Sequence, residues 1–148
     1  MRRETRDART LLVSCLLVSY LLSPAERNIM QLEHLRAYLL SRPGATEDHP
    51  FGPQPLVAKV GGKIFALVSE DATPLDISLK CEPAHAQFLR DSFTAVRPGY
   101  HLNKEHWNTV TLDGSIADDG IRAMIDESYR LVVGSLTKAA QRRLAGKE

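Results

Sequence analysis

Cysteine is scarce in this chain, which has only Cys15 and Cys81 among its 148 residues. Two cysteines this far apart provide neither a metal-binding pair nor a disulfide framework. No motif surrounds Cys81, so we expect it to be a buried, unreactive thiol.

An excess of charge of one sign is also lacking, because the formal net charge is +1. Binding to phosphate or anionic lipid would therefore need a local patch.

Long apolar runs are absent as well. The run LLVSCLLVSYLL at 11–22 has twelve residues, which is too short to span a bilayer as a helix. Arginines precede it and small residues follow at 23–25, as in a signal peptide, although acidic residues interrupt the basic segment. Met30 is a second candidate start. The N-terminal extension, residues 1–29, thus has three open interpretations: an extra helix, a start assigned too far upstream or, less favoured, a signal peptide.

The common catalytic and cofactor motifs are also missing. The sequence contains no Gly-x-Ser-x-Gly, P-loop, Gly-x-Gly-x-x-Gly, His-Glu-x-x-His or Cys-x-x-Cys. The letters VGGK at 60–63 fit a hairpin turn better than a phosphate loop, because a hairpin does not point its backbone N–H groups at phosphate from a helix start. We therefore expect neither an enzyme nor a cofactor.

The patterns that are present predict a single domain over residues 30–148. Leu32, Leu35 and Leu39 share one face of a predicted helix that ends at Pro43-Gly44. This domain carries 14 Lys and Arg against 15 Asp and Glu, a net charge of −1. The domain itself is therefore not basic.

Further along, the proline-rich segment 46–55 is predicted to be a loop. Two β-rich runs then flank Gly61-Gly62, which predicts a two-residue hairpin turn. Residues 75–80 alternate apolar and polar side chains, as in a half-buried strand. A helix follows, with Pro83 in its first turn, where proline is tolerated.

The last third predicts two strands and two helices. Residues 95–102 fit a short strand, and residues 107–113 alternate, with Val110 and Leu112 on the apolar side. A long amphipathic helix then runs to Gly134 and is followed by a short terminal helix. The order αβββαββαα, without βαβ alternation, predicts an α+β fold of two layers, an antiparallel sheet with helices packed on one face.

The run PGYHLNKEHWNTVTLDG at 98–114 is unusually rich in polar side chains that bind ligands. His101 and His106 alone cannot form a zinc site, which needs three or four ligands on a fixed frame. A structural role is the competing interpretation, because Asn103 is a natural helix N-cap and Trp107 begins a strand.

Nucleic-acid binding would need cations together with stacking or hydrogen-bonding groups on one surface. Lysines at the tip of the predicted hairpin could act as a wing beside the run. The candidate nucleic-acid-binding residues are Lys59, Lys63, Arg97, Tyr100, His101, Asn103, Lys104, His106, Trp107 and Asn108. The basic ones would contact phosphates, and the others would hydrogen-bond to the ligand or hold the loop.

The segments HPFGPQPLVAKVGGKIFAL, ISLKCEP, PGYHLNKEHWNTVTLDG and MIDESYRLVVGSL resemble the MmcQ/YjbR family of small bacterial proteins over about residues 31–145. The resemblance implies a fold similar to CyaY (bacterial frataxin) and to secretion-chaperone-like α/β proteins. It also implies DNA binding through a double wing formed by the Gly61-Gly62 hairpin and residues 97–113. An iron role is not expected, because the first helix offers only Glu33 where an acidic ridge would be needed.

We therefore predict a cytoplasmic, non-enzymatic binding module with DNA as the preferred partner and no membrane span. A protein-interaction or chaperone-like module is the first alternative, acting through the sheet face or the apolar segment 11–22. A small-ligand or enzyme site around His101, His106 and Asp113 is the second alternative. The oligomeric state stays open.

Overall fold

The computed structural model describes residues 30–99 and 102–146, so the interpretations of the N-terminal extension lie outside the described residues. The helices are α1 (Leu32–Leu40), α2 (Pro83–Ser92), α3 (Asp118–Gly134) and α4 (Lys138–Leu144). The strands are β1 (Ala45–Asp48), β2 (Leu56–Val60), β3 (Lys63–Ser69), β4 (Asp76–Lys80), β5 (Val96–Pro98) and β6 (Trp107–Thr111). None of the helices described is both long and apolar enough to cross a membrane.

The strands form one sheet in the order β1-β2-β3-β4-β6-β5, and every neighbouring pair is antiparallel. One face of the sheet packs against the helices, as predicted. Ile77 and Leu79 of β4 and Val110 of β6 point into this core. Their neighbours in sequence, such as Ser78 and Thr109, lie on the other face because side chains alternate along a strand.

Several local predictions are confirmed. The turn at Gly61-Gly62 joins β2 to β3, and both glycines have positive φ (58° and 79°). Pro83 occupies the first turn of α2, where its missing N–H costs no helical hydrogen bond. The long helix α3 ends at Gly134, and Thr137 caps α4 by accepting a hydrogen bond from the N–H of Ala140.

One strand was not predicted. The order observed is αββββαββαα, because β1 lies in the segment expected to be a loop. This strand pairs with β2 at the edge of the sheet, with Ala45 opposite Val60 and Asp48 opposite Val57. Only Ala45 is partly buried, so β1 lacks the alternation that marks a half-buried strand.

A β-bulge between β2 and β3 is tied to the long helix by one side chain. Phe65 lies between Ile64 and Ala66, which pair with consecutive residues of β2, so Phe65 itself has no partner in that ladder. The Ser128 hydroxyl of α3 donates to the Phe65 carbonyl (2.6 Å) and accepts from the Lys80 N–H (2.9 Å). Ser128 is fully buried, and it satisfies the buried Phe65 carbonyl and the partly buried Lys80 N–H.

We expect Ser128→Ala to lower the free energy of unfolding by about 1–3 kcal/mol, because it removes the hydrogen-bond partner of the buried Phe65 carbonyl and of the partly buried Lys80 N–H. Urea denaturation followed by circular dichroism measures this change. Ser92→Ala, at the exposed end of α2, is the matched control and should stay within about 0.5 kcal/mol of the parent protein. Equal losses in the two variants would contradict a role for the Ser128 bridge.

Candidate functional site

The face of the sheet opposite the helices carries a groove of about 860 Å³. We call it the open-face groove. Its apolar walls come from β3 and from the loops beside it, and polar groups come from β4, β5 and β6 and also from these loops and the end of β3. The lining residues are Phe51, Gln54, Pro55, Ile64, Leu67, Ser69, Asp71, Ala72, Asp76, Ser78, Arg97, Leu102 and Thr109.

Strand register brings the polar groups of the groove together. Asp76 lies opposite Thr111, and Arg97 comes from the adjoining strand β5. The Arg97 guanidinium donates to Asp76 Oδ2 (2.8 Å) and to Thr111 Oγ1 (2.5 Å), and the Thr111 hydroxyl donates to Asp76 Oδ1 (2.9 Å). Beside this triad, Ser78 Oγ and Thr109 Oγ1 share a hydrogen bond of 2.8 Å. The polar end of the groove is thus a preformed hydrogen-bond network.

A loop at the apolar end of the groove is held in place by side-chain contacts with the end of β3. Gln54 Oε1 accepts a hydrogen bond from the Glu70 N–H (3.0 Å), and His49 Nε2 lies 2.9 Å from Glu70 Oε1. These contacts fix the loop before β2 to the end of β3. Phe51, at the rim, is 66% exposed. Phe51 therefore extends the apolar surface of the groove at its rim.

The cations predicted to contact phosphate are mostly engaged elsewhere. Lys59 Nζ lies 3.2 Å from Asp48 Oδ2, and Arg97 is paired with Asp76. Lys63 Nζ donates to the carbonyl (3.1 Å) and hydroxyl (3.2 Å) oxygens of Ser135, between α3 and α4. The lysines at the hairpin tip therefore do not project together as a free wing.

The polar run forms a turn instead of a helix. Asn103 Oδ1 accepts from the Glu105 N–H (2.9 Å), so Asn103 closes a local Asx turn and the predicted helix cap is wrong. Lys104 is exposed in this turn, His106 is partly buried, and Trp107 is partly buried at the start of β6. Tyr100 and His101 lie outside the described residues.

Asn108 was predicted either to hydrogen-bond to a ligand or to hold the loop, and its burial shows that the ligand-facing role is wrong. Its side chain is 2% exposed. It donates to the Ala86 carbonyl (3.3 Å) and accepts from Arg90 Nε (2.8 Å), which holds α2 against β6. The reason is strand alternation: since Thr109 faces outward, position 108 must face the helices. The alternation noted in the sequence already contained this signal.

Of the third predicted site, around His101, His106 and Asp113, His101 lies outside the described residues, and Asp113 is engaged by a neighbouring serine. Asp113 Oδ1 accepts hydrogen bonds from the hydroxyl (2.6 Å) and the N–H (2.9 Å) of Ser115. These hydrogen bonds hold the pKa of the Asp113 carboxyl below its ordinary value. Asp113 therefore stabilises the turn before α3. His106, another member of the predicted site, has a backbone role, because its carbonyl accepts a hydrogen bond from the Cys81 N–H (2.7 Å).

Cys81 is buried, as predicted, with 4% of its surface exposed. Burial raises the pKa of its thiol to about 12, and the neighbouring Glu127 carboxylate acts in the same direction. The thiol is therefore protonated in neutral solution, which makes it a poor nucleophile.

Comparison with known proteins identifies the relatives of this chain. A family model described as YjbR matches residues 40–131. The uncharacterized protein YjbR of Escherichia coli (strain K12) is 36% identical over 115 residues, which cover 78% of this chain and 98% of that protein. The uncharacterized protein YbdF of Escherichia coli O157:H7 is 40% identical over 95 residues, which cover 64% of this chain and 78% of that protein.

Solved structures agree with these sequence matches. The crystal structure of Deinococcus radiodurans protein DR2400, with the domain DUF419, has a TM-score of 0.75 at 35% identity and covers 84% of this chain and 91% of that one. A Pseudomonas syringae crystal structure has a TM-score of 0.61 at 28% identity and covers 69% of this chain and 98% of that one. The α+β fold is shared, and the chain belongs to the MmcQ/YjbR family, as the block PGYHLNKEHWNTV predicted.

Proposed function

We propose that this protein is a non-catalytic binding module that takes a small, largely apolar ligand into the open-face groove. The observation that carries the proposal is the groove itself. Its volume of about 860 Å³ lies within the range of about 300–1,000 Å³ typical of small-molecule sites. Apolar walls with a few convergent polar groups are also typical of such sites.

The charges of the groove favour a neutral or cationic ligand group. Its lining contains two carboxylates, Asp71 and Asp76, against the single guanidinium of Arg97. Arg97 is already paired with Asp76, while Asp71 is exposed. A phosphate placed here would meet a net negative lining, so it would be repelled. A hydroxyl, amide or amine could instead donate a hydrogen bond to a carboxylate oxygen.

Binding fits the groove better than catalysis does. Nucleophilic catalysis needs a nucleophile beside a base that can take its proton. Among the lining residues described, the hydroxyls of Ser78 and Thr109 bond to each other, and no histidine or cysteine stands beside them. These hydroxyls are suited to orienting a ligand.

The neutral fluorophore N-phenyl-1-naphthylamine tests the groove, because its fluorescence rises when it leaves water for an apolar site. We expect saturable binding of one equivalent. Phe51→Ala should weaken the affinity about five- to tenfold, since it removes an aromatic contact worth about 1–1.5 kcal/mol at the rim.

Phe88→Ala is the matched control, because Phe88 is also exposed (62%, against 66% for Phe51) but lies on α2 and does not line the groove. Its affinity for the fluorophore should stay within twofold of the parent protein. Non-saturable binding, or equal losses in the two variants, would overturn the groove as the ligand site.

Single-stranded nucleic acid is the second candidate, and the surroundings of Trp107 favour it. Lys80 lies directly opposite Trp107 in the sheet, and Lys104 is exposed in the turn just before it. Neither lysine forms an ion pair with a carboxylate among the described residues. A partly exposed aromatic ring flanked by cations can stack a base and contact its phosphates.

Fluorescence anisotropy with labelled single-stranded and duplex DNA, at several salt concentrations, tests this candidate. We expect Lys104→Ala to weaken single-strand binding and to reduce the salt slope by about 0.7, the value for one lost phosphate contact. Lys59→Ala is the control, because Lys59 is paired with Asp48, and it should change neither quantity. Absence of binding at low salt would exclude nucleic acid as the partner.

A further inference from the structure

Three side chains of different chemistry converge on the helical side of the sheet, away from the open-face groove. Cys81 Sγ lies 3.5 Å from His85 Nδ1 and 3.4 Å from Glu127 Oε2. His85 Nδ1 lies 2.8 Å from Glu127 Oε2 and 2.9 Å from Glu127 Oε1. The potential ligand atoms all lie within 4.8 Å of one another.

The fold fixes each of these side chains through a separate element. Cys81 directly follows β4, and its N–H donates to the His106 carbonyl. His85 lies in the first turn of α2, where its ring stacks on Phe88 with centroids 6.3 Å apart. Glu127 precedes Ser128, whose bonds to β3 and β4 hold this turn of α3 against the sheet. The cluster is therefore preorganised.

We propose that Cys81, His85 and Glu127 bind a divalent transition-metal ion of the zinc class. Thiolate sulfur, imidazole nitrogen and carboxylate oxygen are the three donor types that zinc uses in proteins. Three protein ligands leave a fourth position, as in zinc sites that bind water or a substrate. This inference is independent of the open-face groove.

The two sulfur distances match those of such a site. With zinc bonds of about 2.3 Å to sulfur and about 2.1 Å to nitrogen or oxygen, a tetrahedral ion separates sulfur from either atom by about 3.6 Å. The two sulfur distances, 3.5 Å and 3.4 Å, are within 0.2 Å of this. The nitrogen–oxygen distance of 2.8 Å would have to widen to about 3.4 Å. Metal binding therefore requires the Glu127 carboxylate and the imidazole to move apart by about 0.6 Å.

A cysteine nucleophile is the competing explanation, and the geometry of the imidazole opposes it. In a catalytic triad one ring nitrogen faces the nucleophile and the other faces the acid. Here Nδ1 of His85 faces both the thiol and the carboxylate, so the ring cannot pass a proton between them. A metal site, in contrast, requires that the thiol, the imidazole nitrogen and the carboxylate all face the same position.

The site is also accessible. The side chain of His85 is 43% exposed, and that of Glu127 is 15% exposed. Both line a surface cavity of about 570 Å³ between α2 and α3, whose other walls include Leu89, Phe93 and Ile116. A metal ion could enter from this cavity, and a ligand at its fourth position would lie there.

Cobalt(II) binding to the full chain tests the proposal, because Co²⁺ replaces Zn²⁺ and reports its ligands by absorption. A Cys15→Ser background leaves Cys81 as the sole thiol. After treatment with a chelator, we expect one equivalent of Co²⁺ to produce a thiolate-to-cobalt charge-transfer band, and Zn²⁺ to displace it. Cys81→Ser should abolish the band, and His85→Gln or Glu127→Gln should weaken binding at least tenfold.

His49→Gln is the matched control, because His49 also pairs with a glutamate, Glu70, at 2.9 Å, whereas the thiol of the described residues, Cys81, contacts His85. Its affinity for Co²⁺ should stay within twofold of the parent. Circular dichroism of each variant, before and after metal, separates lost ligands from lost folding. If Cys81→Ser does not fold, the two glutamine variants decide the result. Absence of the band in the parent, or affinities unchanged by both glutamine variants, would overturn the proposal.

Discussion

The packing of α3 across β3 and β4 is the interaction on which the rest of this structure depends. Apolar side chains along α3, including Ile121, Ile125 and Val132, fill the core above the middle of the sheet. Ser128, in the middle of this apolar stripe, satisfies the backbone groups that the bulge at Phe65 and the end of β4 leave unpaired. Burying a polar side chain in a core is tolerable only when its hydrogen bonds are made, so Ser128 also sets the position of the helix along the strands.

That packing divides the molecule into two chemically different sides. On the helical side, the aliphatic core borders a polar cluster of Cys81, His85 and Glu127. On the open side, short polar residues of β4, β5 and β6 form the network of the groove, next to the apolar surface of β3. A sheet covered on one face must expose the other, and strand alternation determines which side chains appear there. Both candidate sites are consequences of this single arrangement.

The sequence predicted the fold in most of its detail but the candidate surface only in part. Elements with a strong local signal, such as the Gly61-Gly62 hairpin and the helix that begins at Pro83, lie where they were expected. The edge strand β1 was missed because its side chains are mostly exposed and show no period. For the predicted phosphate contacts, the sequence shows which residues are cations but not which carboxylates they pair with. Lys59, for example, pairs with Asp48 of the neighbouring strand, eleven residues away.

By itself, the sequence determined the family and the α+β class, because these depend on local patterns and on one specific block. Only the tertiary structure decided which polar side chains meet. Asp76 and Arg97 lie 21 residues apart, and Cys81 and Glu127 lie 46 apart, yet each pair is in contact. Strand register and the docking of α3 create these contacts. Neither leaves a periodic signal in the sequence, because the partner of a side chain depends on how the whole chain packs.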